Sequence, residues 1–203
     1  MNDYIHAGID VPAAKVVAAG APLYPASNRD SAASDITVHP DVTPTAADDR
    51  EAILVNPGFG KYFTDHIVLA TWTRSDGWSA PVLVGSDSAA GTHAMNALHY
   101  GQSIFEGLKA YRHSDGSVWT FRPEANALRF QRSAYRLALP PVPTDVFIGA
   151  IEALVRQDLD WVPGDEDKSL YLRPLEFGTE NVLGVRPSDT VTFVLMASPV
   201  GAY

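Results

Sequence analysis

From residue 56 onward, short apolar runs alternate with turn-forming residues at spacings that predict regular elements. Residues 67–73, IVLATWT, are apolar, β-branched and aromatic, and Ser75-Asp76-Gly77 closes them in a turn. That combination predicts a strand, with 81–84 as its hairpin partner. Residues 98–111, LHYGQSIFEGLKAY, are mostly apolar after a turn signal at Gly101, with one acid, Glu106, between Phe105 and Gly107. An extended conformation puts Phe105, Gly107 and Lys109 on one face and Glu106, Leu108 and Ala110 on the other. A glycine inside a strand marks a bulge or a close approach to the backbone. Taken alone, the stretch reads as a buried strand with one paired acid. Ser114-Asp115-Gly116 then turns the chain into an antiparallel strand at 117–121.

The period changes at Pro123, which suits a first helical position, with Glu124 in the first turn. The helix expected over 123–139 has an apolar face of Leu128, Tyr135 and Ala138, widened by Phe130, Ala134 and Leu137. Arg129, Arg132 and Arg136 form a basic stripe beside it. Pro140, Pro141 and Pro143 stop this helix, and Thr144 can cap a second whose buried face is Phe147, Ile151, Leu154 and Val155. Val162-Pro163-Gly164 ends it. Residues 169–177 alternate as a strand, and 190–198 are apolar enough for a central one. Strand runs with two consecutive helices between them indicate an α+β fold. Residues 85–97 have mixed polarity and are expected to cross the sheet edge. Residues 1–50, rich in Ala, Pro, Asp, Ser and Thr, read as an extended or partly disordered tail, with order beginning near Asn56 and 36–55 lying along the domain surface.

Composition narrows the function classes. With 203 residues and 46% hydrophobic content, the chain suits one domain with a loose tail. It has no cysteine, which excludes disulfides, thiolate metal sites and a cysteine nucleophile, and is compatible with a reducing cytoplasm. A net charge of −9 argues against a nucleic-acid partner but not against a local basic pocket. No apolar run is long enough to span a bilayer, and the Ala-rich piece at 13–21 lacks a basic leader. His66, His93 and His99 lie on separate segments without zinc-motif spacing, so no metal site is expected.

Two groups of residues are candidates for chemistry. Arg129, on a helix, could hold a phosphate through a bidentate guanidinium. Tyr171 and Arg173, two apart on a strand, project to one face and imply an anionic partner, either a ligand or a structural acid such as Glu176 or Glu180.

LHYGQSIFEGLKAYR, FRPEANALRFQRSAYRLALP, SLYLRP, GTE, LGVRP and SPVGAY occur in this order between about Pro57 and Tyr203. Together they resemble the branched-chain amino-acid aminotransferases, pyridoxal-phosphate enzymes of fold type IV. The resemblance covers only the family's smaller N-terminal domain, an open, mostly antiparallel sheet with packed helices. It implies a domain over 51–197 and the start of an interdomain hinge at 198–203. It implies that Arg129 holds the cofactor phosphate, that Tyr171 and Arg173 accept glutamate's second carboxylate, and that Phe59, Phe105 and Tyr203 line the pocket. Tyr100, Leu183 and Val185 match positions that reach into the partner subunit's pocket in a homodimer. The family moves an amino group between leucine, isoleucine or valine and 2-oxoglutarate, and a cytoplasmic location is expected for this chain. Its Schiff-base lysine matches none of Lys15, Lys61, Lys109 and Lys168 and is expected beyond Tyr203, so these residues alone should be inactive. D-amino-acid transaminases and aminodeoxychorismate lyases share a shorter version of the pattern, and a non-catalytic truncated dimerisation module is the remaining alternative.

Overall fold

In the computed structural model, residues 36–39, 42–59, 61–86 and 93–201 are described. Their strands form one sheet. In chain order the elements are β1 (Thr37–Val38), α1 (Ala47–Val55), β2 (His66–Thr73), β3 (Gly77–Trp78), β4 (Val82–Gly85), α2 (Asn96–Tyr100), β5 (Ser103–Phe105), β6 (Leu108–Arg112), β7 (Val118–Thr120), α3 (Pro123–Arg136), α4 (Thr144–Gln157), β8 (Ser169–Gly178) and β9 (Thr190–Val200). The sheet order is β1-β4-β2-β9-β8-β6-β7, with β3 on β2 and β5 on β8. All pairs are antiparallel except β1 with β4. The fold is therefore the expected α+β arrangement with an open, mostly antiparallel sheet.

Local sequence explains most of these elements. β4 returns along β2 with Val68 opposite Leu83, as the hairpin reading requires. Gly116 takes φ 84°, and Asp115 Oδ1 accepts from the Ser117 N–H at 2.9 Å, which closes the β6–β7 turn. β9 is central, between β2 and β8. α4 buries Phe147, Ile151, Leu154 and Val155 as expected, with Ala150 and Ala153 as well. Its cap differs: Pro143 is the N-cap and Thr144 the first helical residue.

α3 matches its expected face only in part. Phe130 and Ala134 are buried as expected, with Ala127 as well, whereas Tyr135 and Leu137 are exposed. The helix stops at Arg136, and Ala138 adopts a left-handed φ of 53°, so Leu139 folds back into the core. Phe130 meets Phe147 at 5.6 Å and Phe193 at 5.9 Å between ring centroids, which fastens α3 and α4 to one face of the sheet. α1 and α2 were not apparent in the sequence pattern. α1 buries no residue fully, and Lys168 Nζ donates to the Leu54 carbonyl at 2.9 Å near its end. Thr45 donates its N–H to Asp65 at 3.0 Å, and Trp161 Nε1 donates to the same carboxylate at 2.9 Å. Regular structure is thus described before Asn56, whereas residues 1–35 of the expected tail lie outside the described residues.

Candidate functional site

The two faces of β8 have opposite characters. Leu170, Leu172 and Glu176 face the helices and are buried, whereas Tyr171 and Arg173 lie on the face away from them. Arg173 Nη2 donates to the Tyr171 hydroxyl at 2.9 Å and Nε to the same oxygen at 3.3 Å. The guanidinium lies 4.6 Å from the Phe105 ring centroid and 5.2 Å from that of Tyr171. Phe59 closes the other side, 5.4 Å from Tyr171. Phe59, Phe105, Tyr171 and Arg173 therefore form one aromatic and cationic cluster, with Phe59 half exposed and Phe105 more so. Neither acid considered as a structural partner serves Arg173. Glu176 is three residues on and points into the core, and Glu180 pairs with Arg186 at 2.5 Å.

Gly107 makes the cluster possible. A Cβ placed there would collide with the Tyr171 hydroxyl, so the phenol lies directly over the glycine backbone. This is the close approach that a glycine in a strand signals. The strand itself is interrupted: β5 and β6 both pair with β8, and Glu106 and Gly107 form the step between them.

At this step Glu106 turns to the helix side, and its side chain is 7% exposed. Arg129, one turn along α3 from Asn126, donates Nε and Nη2 to the two Glu106 oxygens, the latter at 2.7 Å. Asn126 Nδ2 adds a bond of 2.9 Å and the Gly107 N–H one of 3.2 Å. Burial pushes the Glu106 carboxyl up, but the bonds from Arg129, Asn126 and Gly107 outweigh it and hold the group below the ordinary carboxylate range. Arg129 is raised in turn, first by its hydrogen bond to Glu106 and then by that residue's charge. Its side chain nevertheless stays 56% exposed. It lines an open basin with Ile104, Arg132, Ser133, Arg136 and Leu137, none of which is acidic. The paired acid was expected, but its partner and the support from Asn126 were missed. The usable signal was the three-residue spacing of Asn126 and Arg129 on one helix.

Tyr100, Leu183 and Val185 are exposed and lie elsewhere. Tyr100 and Val185 flank a second shallow groove with Gln102, Arg136 and Arg186. Asn96 Nδ2 donates to the Gly184 carbonyl at 3.4 Å and ties the Val185 loop to α2. Tyr203 lies outside the described residues. His66 Nδ1 is paired with Asp158 Oδ1 at 2.6 Å in the interior, and no cluster suited to a metal ion occurs among the described residues.

No family model matches the chain. It is 52% identical over 169 residues to a probable branched-chain-amino-acid aminotransferase of Streptomyces coelicolor, covering 83% of this chain and 47% of that protein. It is 49% identical over 170 residues to the branched-chain-amino-acid aminotransferase of Mycolicibacterium smegmatis, covering 83% of this chain and 46% of that one. The chain thus spans about half the length of these curated relatives. Among solved structures, the Escherichia coli branched-chain amino acid aminotransferase matches with TM-score 0.51 and 28% identity, over 66% of this chain and 40% of that chain. A second branched-chain amino acid aminotransferase, solved with pyridoxamine 5'-phosphate, matches with TM-score 0.50 and 30% identity over the same shares. This chain is a homologue of the branched-chain-amino-acid aminotransferases over about half their length.

Proposed function

We propose that this chain is the small N-terminal domain of a branched-chain amino-acid aminotransferase, supplying one cofactor-phosphate contact and one wall of the substrate pocket. The carrying observation is the cluster on the open face of β8, apolar through Phe59 and Phe105 and cationic through Arg173. An enzyme that alternates between leucine, isoleucine or valine and 2-oxoglutarate needs both characters in one pocket. Aromatic rings accept the aliphatic side chains with few rotamers to freeze, and the guanidinium accepts the second carboxylate. Tyr203 and, from a second copy in a C₂ homodimer, Tyr100, Leu183 and Val185 complete this pocket in the proposal.

Pyridoxal 5'-phosphate fits the donor set at Arg129. The guanidinium is more than half exposed, keeps N–H groups beyond those given to Glu106, and borders a basin whose charged side chains are all arginines. Bound there, the cofactor supplies the electron sink for amino transfer. Arg129 would hold its phosphate, while Tyr171 and Arg173 would orient the substrate. We assign the amine that moves the proton to a part of the protein outside these residues, because none of Lys15, Lys61, Lys109 and Lys168 matches the Schiff-base lysine of the aminotransferases that the chain resembles. We place the complete enzyme in the cytoplasm, with which the cysteine-free composition is compatible.

The test is amino transfer by the purified complete protein, with glutamate formation followed from leucine and 2-oxoglutarate. Robust turnover with leucine, isoleucine and valine and none with D-alanine is expected. Preference for D-alanine, or no glutamate from any branched-chain donor, contradicts the proposal.

A further inference from the structure

We propose that Glu106 is the positioning residue for Arg129, fixing its guanidinium in one orientation so that the remaining N–H groups face an anionic phosphate. The inference rests on the proposed cofactor reading and adds a residue to which that reading gives no role.

An arginine more than half exposed on a helix surface normally samples many rotamers, and ordering it for a ligand costs binding free energy. Arg129 is exposed to that extent and still has its Nε–H and one Nη2–H engaged by a single carboxylate. Neither Nη1–H group nor the second Nη2–H is used by Glu106, and Arg129 borders the basin. The carboxylate is itself held by Asn126 Nδ2 and the Gly107 N–H, from the α3 and sheet sides. Glu106 also lies at the strand step next to the glycine that carries Tyr171, so one dipeptide sets both the phosphate arm and the substrate wall.

A buried negative charge beside an anion site would be expected to weaken binding by repulsion. Orientation and repulsion therefore predict opposite signs for removal of the carboxylate. A purely structural role predicts equal loss for ligands with and without a phosphate.

The experiment uses the complete protein freed of cofactor, with pyridoxal 5'-phosphate and phosphate-free pyridoxal as probes. Dissociation constants are measured by spectroscopic titration for the wild type, Glu106→Gln, Glu106→Ala, Arg129→Ala and the Glu106→Ala/Arg129→Ala double variant. Glu106→Ala is expected to raise the constant for pyridoxal 5'-phosphate about tenfold, and that for pyridoxal less than about twofold. Glu106→Gln, which keeps an acceptor oxygen and the side-chain shape, should fall between the wild type and Glu106→Ala. In the Arg129→Ala background, loss of Glu106 should have no further effect. Tighter binding by Glu106→Gln, equal loss for both probes, or additive losses in the double variant would overturn the inference. If Arg129→Ala itself fails to discriminate between the probes, the cofactor reading of Arg129 fails first, which separates the two failures.

Discussion

Glu176 sits opposite Phe193 on β9 and Ile104 on β5, fully buried, with neither carboxyl oxygen hydrogen-bonded among the described residues. Burial alone pushes its pKa up to about 9. The folded state therefore keeps a proton that the unfolded chain releases above the ordinary value of 4.5. The stability linked to this proton is fully present below that value and is lost as pH rises toward 9, at a limiting slope of about 1.4 kcal/mol per pH unit. Glu176→Leu should raise the melting temperature at pH 8 and flatten its dependence on pH; unchanged slopes in melts from pH 5 to 9 would refute this. Gly107 presents a different residue-scale constraint. Its backbone is outside the left-handed region, so alanine is excluded by the Tyr171 phenol and not by φ. Gly107→Ala should destabilise the protein by about 1–3 kcal/mol through overpacking and lose much of that penalty in a Tyr171→Leu background. Equal penalties in both backgrounds, by denaturant unfolding, would show that the phenol is not the obstacle.

At the scale of elements, the aromatic triad Phe130, Phe147 and Phe193 joins α3, α4 and β9. Phe130→Ala should cost about 3–5 kcal/mol and Tyr135→Ala under about 0.5 kcal/mol, although the hydropathy pattern of α3 places both on its apolar face. Thermal melts of the two variants check this directly. The difference shows what a sequence can disclose. β2, the β6–β7 turn and the buried face of α4 were legible because each rests on local periodicity or turn chemistry. The face of α3 was legible only at Phe130 and Ala134, because the left-handed turn at Ala138 substitutes Leu139 for Leu137 in the core. α2 has only five residues and α1 buries none completely, so neither shows a period. In the site, the Tyr171–Arg173 pair stood out by residue type and spacing, and Arg129 stood out from Arg132 and Arg136 through the family resemblance. The bond from Arg129 to Glu106 links positions 23 residues apart, and only the fold brings them together.

At the scale of the whole molecule, an acidic chain concentrates cations where the proposed ligands would need them. The net charge is −9, yet Arg173 stands on the open face of β8 and Arg129, Arg132 and Arg136 border the α3 basin. Such local reversal of sign raises the local concentration of small anions without making the surface attractive to nucleic acid. On the proposed reading, the open sheet face is a substrate wall in which Arg173 answers only to the second carboxylate. This is tested by kcat/KM of the complete protein and its Arg173→Met variant, for 2-oxoglutarate and for the 2-oxo acid of leucine. Arg173→Met should lose about 10- to 100-fold for 2-oxoglutarate, with a change within about threefold for the leucine-derived acid. An equal loss for both substrates would make Arg173 a structural residue and overturn its role at the substrate wall.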